Sequence, residues 1–338
     1  MRYHRVHSPR GFPGAVGRGV ARTAALFWCV LSLLFVLVRL APGDPAVLLV
    51  APGASVAEVR RLQATLGLDR PLATQYARWV GATLRGDLGT SFVSRRPVAA
   101  LLGEALPVSM GLGGASLVLS FLAGTLVGIA QAARRGTRTD AALTVVSVVL
   151  AASPAYWLAL GAIACFTYVA SMLGMPQWMR LPAVGMTTPG LELQGAAHAA
   201  DLLRHAVLPL SLLAAIGAAG VARYLRTSAL DLIESDWMRT ARAKGLPRRV
   251  ALSRHLLANL RVPLLTLGAL SLPGIVAGSV FVETIFGWPG VGRLMVTSIV
   301  ARDYPVVLGC ASAYAALVIV ANLAADLLLP WADPRVVA

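Results

Sequence analysis

The sequence predicts an all-α, polytopic membrane protein with six transmembrane helices, and three observations predict it. Of 338 residues, 57% are hydrophobic and 13% charged, with a mean hydropathy of +0.72, which leaves too little charge to coat a soluble domain. Apolar runs recur along the chain at bilayer length, roughly 20 residues. Between two of these runs lies a short amphipathic stretch with its own start and stop signals, LDLIESDWMRTARAKGLP from Leu230 to Pro247, which a bundle built only to sit in lipid does not need.

The apolar runs divide the chain in order. Residues 1–21 form an N-terminal arm and residues 22–40 the first span; 41–106 is a non-cytoplasmic helical segment, 107–331 the transmembrane core and 332–338 the tail. The spans are read as Arg22 to Leu40, Pro107 to Ala132, Ala141 to Leu173, His205 to Thr227, His255 to Phe286 and Tyr304 to Trp331. The third is longer than one crossing requires and contains Ser153-Pro154, so it is either a kinked helix or two segments with a tight break. The first is read as an uncleaved anchor, because it is long for a signal peptide and further spans follow.

Charge then orients the spans. The N-terminal arm, the loop before Asp140, the region from Arg226 to Arg261 and the tail together carry seventeen basic residues, against four (Arg180, Arg204, Arg293, Arg302) in the opposite short loops. The positive-inside rule therefore places both termini and the amphipathic stretch in the cytoplasm. The net charge of +15 is broken up by membrane-length apolar runs, so it describes orientation and not a nucleic-acid-binding face.

Outside the first span, Ser55-Val56-Ala57-Glu58 is a capping-box pattern, followed by Val59, Leu62 and Leu66 on one face and then by Gly67 and Pro71 as a stop. A second amphipathic stretch puts Leu72, Tyr76, Val80 and Leu84 at steps of four. These helices are expected to lie on the outer membrane surface or against each other. In the cytoplasmic stretch, Ser235 or Asp236 is the candidate cap, Gly245 the left-handed stop and Pro247 the block to continuation. Leu230, Ile233, Trp237 and Ala241 recur at helical spacing. Acidic Asp231, Glu234 and Asp236 come early and basic Arg239, Arg242 and Lys244 late, as the helix dipole favours.

No constellation supports catalysis, and no metal site is expected. His4, His7, His198, His205 and His255 lack ligand spacing, and Cys29, Cys165 and Cys310 are read as buried structural thiols. Lys244, the only lysine, is followed by Gly245, so no phosphate-binding loop of the GxxxxGK[ST] type exists and any nucleotide hydrolysis belongs to a partner. Among ionisable residues near the membrane, Asp326 shares a helical face with Asn322, while Arg39, Arg223 and Glu283 lie near span ends, where reaching to the interface explains them. Gly124-xxx-Gly128 and Gly274-xxx-Gly278 are small-residue pairs that let helices approach closely without naming their neighbours.

The run RTSALDLIESDWMRTARAKGLPRRVALSRHLLANLRVPLL from Arg226, with FVETIFGWPGVGRL (Phe281 to Leu294), RDYPVV (Arg302 to Val307), APGDP (Ala41 to Pro45) and GDLGTS (Gly86 to Ser91), resembles the inner-membrane permeases of ATP-binding-cassette peptide importers, of the dipeptide/oligopeptide type. The resemblance implies the type I ABC importer permease (MetI-like) fold in a bacterial cytoplasmic membrane. It also implies a homologous second permease, two ABC ATPases that bind ATP and Mg, an extracytoplasmic solute-binding protein and a peptide substrate. This chain itself would hold no cofactor. In that family the loop carrying Thr240, Ala241 and Gly245 docks on the ATPase, which makes Asp236, Trp237, Arg239, Thr240, Ala241, Arg242, Ala243, Lys244 and Gly245 the expected coupling helix. Arg239 departs from the general loop pattern, where Glu is common, and so does Ala258, where Pro is common, with Pro263 further on. Glu283, Trp288, Pro289, Gly290, Arg302 and Asp303 are the residues expected at an extracytoplasmic mouth or binding-protein dock; an aromatic anchor and tight turn at Trp288-Pro289-Gly290 is the alternative. Other solutes, such as nickel complexes or glutathione, fit the same resemblance. A secondary transporter or channel fits less well, because the span centres are nearly free of charge, and a structural or sensory subunit remains a third class.

Overall fold

A computed structural model describes residues 12–40, 45–50, 54–245, 250, 256–272, 274 and 280–332, with side chains omitted at 12–23, 45, 48, 237, 241, 242, 257, 258 and 326–332. Among them every regular element is a helix. In a bilayer, backbone groups must find partners within the segment, and helices achieve this. The order is α1 (Phe12–Leu40), α2 (Pro45–Leu49), α3 (Val56–Leu66), α4 (Leu72–Leu84), α5 (Val98–Ala133), α6 (Arg138–Ala152), α7 (Ala155–Ile163), a π-helical turn (Ala164–Val169), α8 (Ala170–Met172), α9 (Gly195–Ile233), α10 (Asp236–Ala243), α11 (Leu257–Ser271), α12 (Val280–Ile285), α13 (Val291–Val300) and α14 (Tyr304–Ala332).

Four stretches of the described residues are long and apolar enough to cross a membrane: Val98–Ala133, Ala155–Met172, Gly195–Ile233 and Tyr304–Ala325. They match the second, third, fourth and sixth expected spans. The first corresponds to α1, whose apolar part Ala24–Leu40 is shorter. The fifth corresponds to α11; residues 273 and 275–279, including Gly278 of the second glycine pair, lie outside the described residues. So do APGDP from 41 to 44, His4, His7 and His255, most of the N-terminal arm, and the end of the tail.

Several ends differ from the reading by hydropathy. α5 starts at Val98 and runs through Pro107, and α9 starts at Gly195 and continues to Ile233. Helical backbone thus extends past the apolar run at both places. The third segment is broken at Ser153-Pro154. Ser153 adopts an extended φ −77°, ψ 136° and closes α6, because the proline ring disfavours helical geometry in the residue before it. Pro154 then caps the next helix. The π turn that follows is matched by its neighbour: the Leu181 N–H donates to the Phe166 carbonyl at 3.0 Å, and the Thr167 hydroxyl donates to the Leu181 carbonyl at 2.7 Å.

The frame of the bundle is α5 against α9. Ser120 lies beside Gly217, Gly124 beside Val221 and Gly128 beside Ala222 and Leu225, a constant offset that makes the two helices parallel. A Cβ at Gly124 would meet Val221 Cβ at 2.6 Å, and one at Gly128 the Ala222 carbonyl at 2.7 Å. Only glycine permits this approach. The first small-residue pair therefore has its neighbour in α9, whereas Gly274 has open space beside it. Because α5 and α9 run the same way, α6 to α8 must return between them, and both α6 and α7 pack along α9. The last helix, α14, packs on α11, α13 and α1.

The segment after α1 departs from expectation. The capping box forms, with Ser55 N–H donating to Glu58 at 2.7 Å and Gly67 in the left-handed region at φ 66°. The Ser55 N–H, together with the Ser55 hydroxyl that donates to the same carboxyl at 2.9 Å, holds Glu58 below its usual range. α4 packs on α1. The Tyr76 hydroxyl meets Ser32 Oγ at 2.7 Å and accepts from the Trp28 indole at 3.1 Å, while Trp79 stacks on Trp28 and Phe35 with centroids 5.9 and 5.2 Å apart. The contact stripe is therefore Tyr76 with Trp79; Leu72 and Leu84, expected on it, are exposed. Cys310 is buried, but Cys29 and Cys165 face outward, which corrects their reading as buried thiols.

Candidate functional site

The stretch from Leu230 to Pro247 is not one helix. α9 carries Leu230 to Ile233, and the chain breaks at Glu234-Ser235 before α10 begins at Asp236. The Ser235 hydroxyl donates back to the Leu232 carbonyl, while its own carbonyl accepts from Met238 and Arg239 N–H, both at 3.1 Å. One serine thus closes one helix and opens the next. Its side chain is not the N–H cap that the sequence suggested. Within α10 the Thr240 hydroxyl bonds the Asp236 carbonyl at 2.9 Å, and Arg239 meets Asp236 at 3.3 Å with both side chains largely exposed, a pair worth about 0–1 kcal/mol. Gly245 has φ +78°. Asp236, Arg239, Thr240, Ala243, Lys244 and Gly245 are exposed. The side chains of Trp237, Ala241 and Arg242, together with Pro247 and the arginines after it, lie outside the described residues.

The residue that seats α10 is one the sequence reading passed over. Met238 is 1% exposed and packs with Ala132 of α5, Val221, Leu225 and Ala229 of α9, and Leu256 and Leu260 at the start of α11. Leu230 and Ile233 flank the same cluster. A stripe drawn through Leu230, Ile233, Trp237 and Ala241 assumes continuous helical phase. The break at Ser235 resets that phase and turns Met238 inward, where its burial contributes about 1.5–3 kcal/mol.

The loop between α5 and α6 is fastened beside this seat. Asp140, its side chain 7% exposed, takes a two-point contact from Arg226 of α9, with Nε and Nη2 each 2.9 Å from a carboxylate oxygen. It also accepts from Gly136 N–H at 3.1 Å, and Thr137 caps its helix. A second, exposed pair joins Arg135 to Glu234. Arg226 and Arg135 figure in the sequence only as loop charges; the Thr137-Arg138-Thr139-Asp140 start of α6 is the available signal that Asp140 is held in place.

At the opposite end, the residues expected to face the outside are mostly interior. Glu283 has zero exposure. Its carboxyl accepts from the Ser109 hydroxyl at 2.7 Å, from Gly292 N–H at 2.8 Å and from Arg293 N–H at 3.2 Å, so an acidic group of α12 caps α13. Ser109 completes the cap by accepting from Val291 N–H at 2.9 Å. Glu283 therefore neither reaches to the interface nor presents a docking group. Trp288 is buried in a cluster with Ala159 and Ile163 of α7 and Val282 and Phe286, so it is a core side chain and not a surface anchor. Gly290 is buried as well, since a Cβ there would crowd Ser109 Oγ at 2.6 Å as well as the Glu283 carboxyl. Pro289 is exposed, and with Gly290, Leu101, Glu104, Arg293 and Thr297 it lines a cleft of about 480 Å³.

Asp303 is 3% exposed and binds the turn that follows GDLGT. It accepts from the Ser91 hydroxyl at 2.5 Å and from Phe92 N–H at 2.9 Å. Arg302, half-buried, holds the positive φ of 53° that turns the chain into this contact. The two motifs GDLGTS and RDYP are thus partners in one structure. Arg39 folds over the Phe35 and Tyr304 rings, 5.4 and 5.3 Å from their centroids. Arg223 and Asn322 are exposed, and the Asp326 side chain lies outside the described residues. Between α5, α9 and α11 a cleft of about 370 Å³ is lined by small and hydroxyl residues including Gly113, Ser116, Ser120, Gly217 and Ser271.

Residues 124–338 match the family described as binding-protein-dependent transport system inner membrane component, and residues 16–113 match its N-terminal membrane component. The oligopeptide transport system permease protein AppB of Bacillus subtilis is 36% identical over 305 residues, 90% of this chain and 93% of that protein. The Escherichia coli protein named probable D,D-dipeptide transport system permease protein DdpB is 36% identical over 315 residues, covering 91% and 92%.

Proposed function

Because the chain belongs to the binding-protein-dependent transport system inner membrane components, a family of membrane permease subunits of ABC importers, we propose that it forms half of a path for di- or oligopeptides, driven through α10 by partner ATPases. The names of AppB and DdpB, both peptide permeases, support the substrate class. The partners in this reading are a second permease of the same kind, two ATPases that bind ATP and Mg, and an extracytoplasmic solute-binding protein. Both termini and α10 lie in the cytoplasm. The fold is consistent with that sidedness: the basic loops at Arg134, Arg135 and Arg138, the Arg226 region and α10 gather at one end of the parallel α5–α9 pair, and Glu283 and Asp303 at the other.

One observation carries the coupling role. α10 presents a charged, exposed face while Met238 seats its other face on the ends of α5, α9 and α11. Force applied to the exposed face therefore reaches three membrane helices through a side chain packed at interior density. ATP-driven closure of the partners would move this rod and bias the bundle between inward- and outward-open arrangements.

The test is peptide uptake into proteoliposomes containing the binding protein, both permeases and the ATPases. Uptake of a labelled dipeptide requires this chain, and Met238→Ser lowers uptake per ATP hydrolysed while the complex still assembles. Full uptake with the chain omitted refutes the permease reading. Unchanged coupling in Met238→Ser refutes the role of α10.

A further inference from the structure

We propose that the Asp140–Arg226 pair is a positioning latch through which motion of α10 enters the α6–α8 segment and from there the outer cap. The inference rests on the reading of α10 as the coupling helix. α9 leads directly into α10, so α9 moves with it. α6, however, does not follow α9 along the chain and packs against its side, and packed helices can shear past each other by small sliding steps. A guanidinium fork on a carboxylate resists such sliding, because both hydrogen bonds need one relative geometry.

The placement of the pair fits this task. Arg226 lies seven residues, about two turns, before the end of α9 at Ile233. Asp140 is in the first turn of α6, fixed by the Thr137 cap and by Gly136 N–H, so its carboxylate reports the position of the helix and not of a mobile loop. The second contact, Arg135 with Glu234, lies at the α9–α10 junction. The two contacts bracket the last turns of α9. The Asp140 side chain is 7% exposed, and a buried carboxylate stripped of its arginine is costly; the exposed second pair contributes little strength. At the far end, Ala159 and Ile163 of α7 pack on Val282, Phe286 and Trp288. A displacement of α6 thus continues past the Pro154 joint to the elements that Glu283 caps.

The test uses the whole complex in proteoliposomes, with Cys29 and Cys165 replaced by serine and spin labels at Arg138→Cys and Asp231→Cys, both exposed positions. Expected with the latch intact is the same label distance in the resting and ATP-trapped states. In Asp140→Asn the distance broadens, and labelled dipeptide carried per ATP falls about fivefold or more, the lower range for coupling between sites. Arg226→Lys, which keeps the charge but loses the fork, gives an intermediate ratio. A label distance that changes by about one helical turn, roughly 5 Å, on trapping in the unsubstituted pair overturns the latch, as does wild-type coupling in Asp140→Asn. If Asp140→Asn fails to assemble, the distance measured with the pair intact still decides. The label measurement needs only nucleotide trapping, so a complex that carries no dipeptide refutes the substrate reading without touching the latch. Likewise, Gly245→Pro with undiminished turnover refutes the α10 reading on its own.

Discussion

Replacing Glu283 separates the loss of one hydrogen bond from the loss of three at a site of zero exposure. In Glu283→Ala three donors lose their acceptor together: Ser109 Oγ at 2.7 Å, Gly292 N at 2.8 Å and Arg293 N at 3.2 Å. At about 1–1.5 kcal/mol net for each bond, the loss is about 3–5 kcal/mol. Glu283→Gln keeps an acceptor oxygen for the two N–H groups, but the amide nitrogen that faces Ser109 only donates, so the Ser109 hydroxyl loses its acceptor while still accepting from Val291 at 2.9 Å. The glutamine thus gives up one of the three bonds, about 1–1.5 kcal/mol. Thermal denaturation of the detergent-purified complex should therefore rank wild type, glutamine and alanine in that order, with alanine well below. Hydrogen exchange should show the Gly292 and Arg293 amides losing protection in alanine and retaining it in glutamine. Glutamine as damaging as alanine, or alanine with protected amides, would refute the account of Glu283 as an internal helix cap.

Two further outcomes follow from close contacts. Gly124→Ala places a methyl 2.6 Å from Val221 Cβ and 2.8 Å from the Ala218 carbonyl, so overpacking should cost about 1–3 kcal/mol; adding Val221→Ala should not rescue it, since Cβ remains, and a rescued thermal midpoint would argue against the seam. Asp303→Ala should expose the Phe92 and Val93 amides, now 2.9 and 3.4 Å from its carboxylate, to exchange while leaving the Gly292 amide protected, and parallel loss at both sites would contradict their independence.

Hydropathy made the helical bundle legible because the period and length of apolar runs follow from the bilayer itself. It misplaced the ends of α5 and α9, where helix continues beyond lipid-compatible residues and no change of composition marks the stop. The break at Ser153-Pro154 was legible as one of two outcomes, since proline forbids straight continuation but does not choose between a kink and a break. In α10 the start of the element was legible and its buried face was not, because Ser235 interrupts the phase on which the stripe was drawn. Asp140, Glu283 and Asp303 were opaque for one common reason. Each finds its partners far along the chain, at Arg226, Ser109 and Ser91, and a single sequence does not reveal which distant polar groups will meet. Burial turns these acids from apparent surface features into fastenings.

The bond between Ser91 and Asp303 joins positions 212 residues apart, and ribosomes deliver them in that order. The strand of chain leaving the first span must therefore wait, its amides served by water, until nearly the whole protein has been threaded into the bilayer. The turn closes on itself through its own backbone bonds, but its fastening to Asp303 is a late event in biogenesis, and a nascent chain stalled before that residue leaves the Phe92 and Val93 amides without their acceptor.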